Sequence, residues 1–172
     1  MIYCLLPKRT KKTAAIEAKS VAVLAFRNLS GDPAREFFSD GLSEAVTDVL
    51  GRVPGLRVVG SASAFSFKGK SVPIPEIARQ LGVSHLVEGT VLQEGSTVRI
   101  TAKLIQADGF QVWGSDKLDR ELKNIFALHD EVAGLIANQL SLKLGATPPA
   151  AAAAVNPEAY RLYLEGRAAW NL

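Results

Sequence analysis

Cysteine is almost missing from this chain: Cys4 is the only one in 172 residues. A single thiol excludes a disulfide within the chain and any metal centre built on several cysteines of one copy. It neither requires nor excludes an oxidising compartment. Histidine is nearly as scarce. His85 stands alone, and His129 has only Asp130 and Glu131 beside it on a helix face. Both rings are read as packing or solvated groups, and no metal ligand is assigned. Long apolar runs are missing too. MIYCLL, residues 1–6, falls well short of the roughly 18 residues that a membrane span requires. No apolar segment precedes Cys4 that would make it a lipoprotein cleavage site.

A net positive charge is also missing from the body of the chain, although the formal net charge of the whole is +3. Lys8, Arg9, Lys11 and Lys12 all precede the first acid, Glu17, and without these four the charge falls to −1. A roughly neutral body with scattered basic residues argues against direct nucleic-acid binding. The composition, 48% hydrophobic and 22% charged, is that of a folded domain able to bury a core.

Among what is present, Ser20–Arg52 organises the rest. Val21–Phe26 is a short apolar run with strand character, and Asn28–Pro33 (NLSGDP) is a polar turn. The period then changes from 2 to 3.6. Phe38, Leu42, Ala45, Val46, Val49, Leu50 and Val53 fall on one helical face, with Asp40, Glu44, Thr47, Asp48 and Gly51 opposite. Pro54-Gly55 stops that helix before a second strand at 56–60, which completes a βαβ unit. Gly60–Ser71 reads as a loop holding at most one helical turn, with Phe65 and Phe67 interleaved. A short amphipathic helix over 74–81 ends at Gly82. Three strands, 84–93, 97–106 and 111–118, then make an antiparallel meander, turned at Glu94-Gly95-Ser96 and Asp108-Gly109. In the second strand Val98, Ile100, Ala102 and Leu104 alternate with Arg99, Thr101 and Lys103. Trp113 reads as a core residue of the third strand. The last helix, 122–144, should bury Val132, Leu135 and Ile136, as the first should bury Leu42, Val46 and Val49.

The expected fold class is therefore α/β. A five-stranded mixed sheet, a βαβ unit plus an antiparallel meander, packs with helices and is followed by one further C-terminal helix. The expected divisions are a basic tail or anchor remnant with linker at 1–18, the α/β domain at 19–145, an Ala/Pro linker at 146–155 and the last helix at 156–172.

Catalytic signatures are scarce. Gly69-Lys70-Ser71 invites a phosphate-loop reading, but the required earlier glycine is Ala64, and Val72-Pro73 follows where a helix should start. It reads as a basic surface turn. Asp40, Glu44 and Asp48 form an acidic ladder at helical spacing and read as a solvated face rather than an acid–base pair. No catalytic, cofactor-binding or metal-ligating residue is assigned. Asn28, Ser30, Gly31 and Asp32 lie at the carboxyl end of the first strand, where open α/β sheets bind ligands, and otherwise serve as a structural turn. Phe65 and Phe67 serve either the core or a contact surface.

SVAVLAFRNLSGDPAREFFSDGLSEAV, LRVVGSASAFSFKGK and IARQLGVSHLVEGTV together resemble the TolB amino-terminal-like domain, over about residues 19–144. That domain occurs in bacterial membrane-anchored regulators, including class III adenylate cyclases and CadC-like transcriptional regulators, commonly just before tetratricopeptide repeats. NPEAYRLYLEGRAAWNL, with Ala159, Tyr160, Tyr163, Gly166 and Trp170, resembles the opening helix of such a repeat. The resemblance implies a non-enzymatic interaction or sensory module of a membrane-linked signalling protein. Its implied partners are proteins or a second copy, with Tyr163 and Trp170 as contact candidates. It also implies a place in the cell envelope, on the periplasmic side of the inner membrane. The basic residues 8–12 point the other way, since positive flanks of a span prefer the cytoplasm. Two alternatives stay open: a fragment of a cyclase or winged-helix regulator whose active domain lies elsewhere, or a small-ligand-binding α/β domain.

Overall fold

Alternation sets the two longest strands, and these set the sheet. In the computed structural model, which describes residues 19–147, β4 (His85–Glu94) pairs antiparallel along its whole length with β5 (Thr97–Gln106). Val87, Val91, Val98, Ile100, Ala102 and Leu104 face one side and are buried. Glu88, Thr90, Arg99, Thr101 and Lys103 alternate with them.

Seven strands form one mixed sheet. β1 (Ser20–Val23) lies parallel between β3 (Arg57–Val58) and β4. β2 (Arg27–Asn28) continues the line of β1 along β4. β6 (Gln111–Gly114) and β7 (Leu118–Glu121) follow one another along the far edge of β5. The expected five strands are thus five rows, two of which are broken. The third strand of the meander breaks because Ser115 substitutes for a ladder partner. Its Oγ accepts from Ala102 N at 2.9 Å while its own N–H donates to Ala102 O at 2.8 Å.

α1 (Glu36–Gly51) and α4 (Ile125–Lys143) pack together on the apolar face. α1 is preceded by a 3-10 turn, Pro33–Arg35, capped by Asp32. α4 begins three residues later than the periodicity suggests because Asn124 caps it. The Asn124 Oδ1 accepts from Phe126 N and Ala127 N at 3.0 and 3.1 Å. On the other face α2 (Ser61–Phe65) and α3 (Ile74–Leu81) cover only the β1 side, where Ala22, Ile77, Ala78, Val83 and Leu86 form a second, smaller core.

Three burial expectations are corrected. Leu135 is 42% exposed, whereas Val132 and Ile136 are buried. The packed stripe of α4 is Leu128, Val132, Ala133, Ile136, Ala137 and Leu140; Leu135 and Leu142, seven residues apart, lie on the outer side and are exposed. Thr47, placed on the outer face of α1, is buried, its hydroxyl donating to Ser43 O at 2.8 Å. Val49 is only half-buried at the margin of the main core. Trp113 is half-buried against that same core, as expected.

Candidate functional site: a cavity at the end of the first strand

The chain leaves β1 through α1 on one face to reach β3, then returns through α2 and α3 on the other face to reach β4. Connections that part to opposite faces leave a crevice at the carboxyl end of the strand between them. A bulge widens it here. Val23 pairs with Val87 and Arg27 with Thr90, so the β1–β2 row carries one residue more than β4 across that interval. The extra residue reverses the alternation and carries Phe26 onto the helix face, where it is fully buried.

Two features fix the bulge. Phe26 N donates to Ser43 Oγ of α1 at 2.8 Å, and that hydroxyl donates to Ser39 O at 2.7 Å. The ring lies against Gly89 of β4, where a Cβ would stand 2.4 Å from two ring carbons. Only glycine admits the ring there.

On the opposite face the crevice opens into a cavity of about 430 Å³. Its floor is Glu88 and Thr90 of β4 with Thr101 and Lys103 of β5. The hydroxyls of Thr90 and Thr101 are 2.6 Å apart. One wall is Leu24–Leu29; the other is Ala64, Phe67–Lys70 and Val72, with Ile77 of α3. Lys68 ties this second wall to α1. Its Nζ lies 2.7 and 2.8 Å from the two Asp40 carboxylate oxygens and 3.0 Å from Glu36 Oε2. The Asp40 bond, aided by Glu36, raises the Lys68 pKa against the opposing effect of desolvation.

Of the contact candidates singled out from sequence, Asn28 and Phe67 line the cavity, as do Gly69 and Lys70 of the basic turn. The rest of the NLSGDP turn is occupied by its own hydrogen bonds. Asn28 Oδ1 accepts from Ser30 N and its Nδ2 donates to Asp32 O, both at 2.9 Å. Ser30 Oγ accepts from Gln93 N at 2.8 Å, and Asp32 Oδ1 accepts from Ala34 N at 2.9 Å. Gly31 takes a φ of 72°, which glycine tolerates. Phe65 is half-buried in α2 and does not line the cavity. Tyr163 and Trp170 lie outside the described residues. Sequence reasoning missed Arg27, Glu88, Thr90 and Lys68, and took Thr101 and Lys103 for a solvent face. The polar half of the β4–β5 alternation was the signal for the floor.

The remaining candidates take structural roles or form a surface turn. Asp40 is the one member of the acidic ladder drawn into an ion pair with Lys68. Gly69 forms a turn at φ 73°, and the following helix starts at Ile74, not at Ser71. His129 fills the α1–α4 seam. Its Nε2–H donates to Phe38 O at 3.0 Å, its ring is tilted on Phe38 at 4.5 Å, and it abuts Gly41. Burial lowers its pKa, partly opposed by the Phe38 bond and Asp130. Burial likewise lowers that of His85, against Asp108. Among the described residues no group of three or more His, Cys, Asp or Glu side chains is placed to hold a metal ion. No helix among them is long and apolar enough to cross a membrane.

No family model matches the chain. A Rhizobium meliloti (strain 1021) protein named "Putative adenylate cyclase 3" is 40% identical over 154 residues, 87% of this chain. The chain spans about a quarter (26%) of that relative. In structure, lipoprotein GNA1162 from Neisseria meningitidis superposes with a TM-score of 0.51 at 19% identity, covering 72% of this chain and 98% of its own. TolB from Acinetobacter baumannii superposes with a TM-score of 0.50 at 14% identity, over 74% of this chain and 28% of its own. At such identities the likeness is one of fold: the chain has the mixed α/β fold found in a lipoprotein and in part of TolB.

Proposed function

We propose that residues 19–147 form a non-catalytic interaction or sensory module of a longer, envelope-associated bacterial signalling protein. The observation that carries this reading is the 40% identity to a stretch making up 26% of a relative named for adenylate cyclase. A stretch that small is a module within a larger chain, and cyclisation need not reside in it. The fold shared with a lipoprotein and with part of TolB supports an envelope setting and protein partners. On this reading residues 156–172 would open a tetratricopeptide array that extends the interaction surface, and regulation would pass from the module to an effector domain.

The purified 172-residue chain, incubated with ATP or GTP and Mg²⁺ or Mn²⁺, is expected to leave the nucleotide intact by liquid chromatography. Cyclic nucleotide or released phosphate that disappears in Lys70→Ala would overturn the non-catalytic assignment. In the Rhizobium relative, deleting the matching stretch should change how cyclic AMP output responds to growth conditions while preserving basal output. Complete loss of basal output from a soluble, folded variant would place chemistry in the module and refute the reading.

A further inference from the structure

We propose that the cavity at the β1–β2 bulge binds a small organic anion, with one carboxylate or phosphate head and a compact apolar body. This goes beyond the module reading and does not rest on it.

Charge is the first reason. Four cations, Arg27, Lys68, Lys70 and Lys103, line the cavity against two carboxylates, Glu36 and Glu88. Lys68 and Glu36 are paired with each other, with Asp40 adding a second acid to Lys68. Among the described residues Arg27, Lys70 and Lys103 have no salt bridge. They approach from three separate segments, so their convergence follows from tertiary structure rather than from a run of like charge. Low-dielectric walls concentrate the field of such a cleft. Glu88 stands directly across from Lys103 in the β4–β5 ladder. It limits the excess positive charge to what a single anionic head matches, and disfavours a polyphosphate.

Hydrogen bonding is the second reason. The Thr90 and Thr101 hydroxyls share one bond at 2.6 Å, in which either is the donor. Two hydroxyls carry two protons, and their mutual bond uses one. The other can turn to an acceptor on the cavity side.

Shape is the third. Leu24, Phe67, Val72 and Ile77 give the cavity an apolar flank, and Leu29, 52% exposed, stands at its margin. The Lys68 clamp and the bulge hold the opposing walls before any ligand arrives. A volume of about 430 Å³ lies at the low end of small-ligand sites.

The test uses the 172-residue chain at low ionic strength and four probes: octanoate, octyl phosphate, octanol and octylammonium. Isothermal titration should show saturable one-to-one binding of octanoate, octyl phosphate or both. Octanol should bind at least roughly tenfold more weakly, and octylammonium not at all. Lys70→Gln combined with Lys103→Gln should weaken binding of the anions roughly tenfold without shifting the thermal midpoint, since both side chains are exposed. Amide shifts of Thr90 and Thr101 should report the anion by NMR. Four results would overturn the proposal: equal affinity for octanol and octanoate, no anion binding at millimolar concentration, unchanged affinity in the double variant, or, with inorganic phosphate as a control, binding as tight as that of octyl phosphate.

Discussion

Gly89→Ala is the smallest change that should disturb the candidate site, and its cost can be worked from the contact it violates. The added Cβ would stand 2.4 Å from Phe26 Cδ2 and Cε2 and 2.6 Å from Cγ. Carbon atoms rest at about 3.5–4.0 Å, so ring and methyl must separate by about 1 Å or more. The ring has little freedom: Phe26 is fully buried and its backbone is bonded to Ser43. Replacing a strand glycine by alanine would by itself stabilise by about 0.5–1 kcal/mol. Overpacking costs about 1–3 kcal/mol, and the severity of this contact puts the case at the upper end, so destabilisation wins. Phe26→Ala alone should cost about 3–5 kcal/mol. In the double variant the new methyl enters the space the ring has left, so Gly89→Ala should then be neutral or stabilising. Urea denaturation followed by circular dichroism on the four proteins gives the coupling, expected at about 2–3 kcal/mol. Phe26→Leu provides a milder second cycle should Phe26→Ala not fold. Additive energies in both cycles, or a Gly89→Ala variant as stable as the parent, would refute the account of the bulge.

Val46 is fully buried on α1 and Leu135 is 42% exposed on α4. Val46→Asp should therefore cost several kcal/mol, on the order of 3–5, while Leu135→Asp should stay within about 1 kcal/mol by the same denaturation assay. Stability should also fall in mild acid. His129 and His85 have pKa values below the ordinary 6.5 because burial disfavours the charged ring. The unfolded chain then binds more protons, so the contribution is full above about pH 6.5 and is lost as pH falls through the folded-state values. His129→Gln should flatten the dependence of the melting temperature on pH between about 7 and 5; an unchanged slope would show that His129 is not the group responsible.

Elements with one buried face were legible in the sequence. Thr97–Leu104 alternates without a fault, and every inward residue read there, Val98, Ile100, Ala102 and Leu104, is buried. The turns at Gly95 and Gly109 have positive φ, as their sequences require. α4 was less legible because apolar residues surround much of it, so periodicity alone does not choose between Leu135 and Leu140. The bulge was hidden for a related reason. Val21–Phe26 is apolar throughout, and a strand buried on both faces has no alternation for an extra residue to interrupt. The trace lay on the neighbouring strand, where Gly89 stands among β-formers.

The cavity exists because the second face of the sheet changes character partway along β4. Leu86 carries an apolar side chain to that face and is covered by α3, whereas Glu88 and Thr90 farther along are polar. Thr101 and Lys103 extend this polar strip onto β5. A helix packed there would have to desolvate a carboxylate, an ammonium group and two hydroxyls, at several kcal/mol for the ions alone. The chain instead passes as the Ala64–Val72 segment, which contributes Phe67 to the second core and Lys68 to an ion pair with α1 and leaves the strip uncovered. Covering the whole face would need a second apolar stripe on β4 and β5. Glu88→Leu with Lys103→Leu would supply it; the pair removes one charge of each sign and leaves Arg27 and Lys70 in place, so by the same logic it should retain the fold by circular dichroism and narrow, without reversing, the preference for octanoate over octanol in the titration.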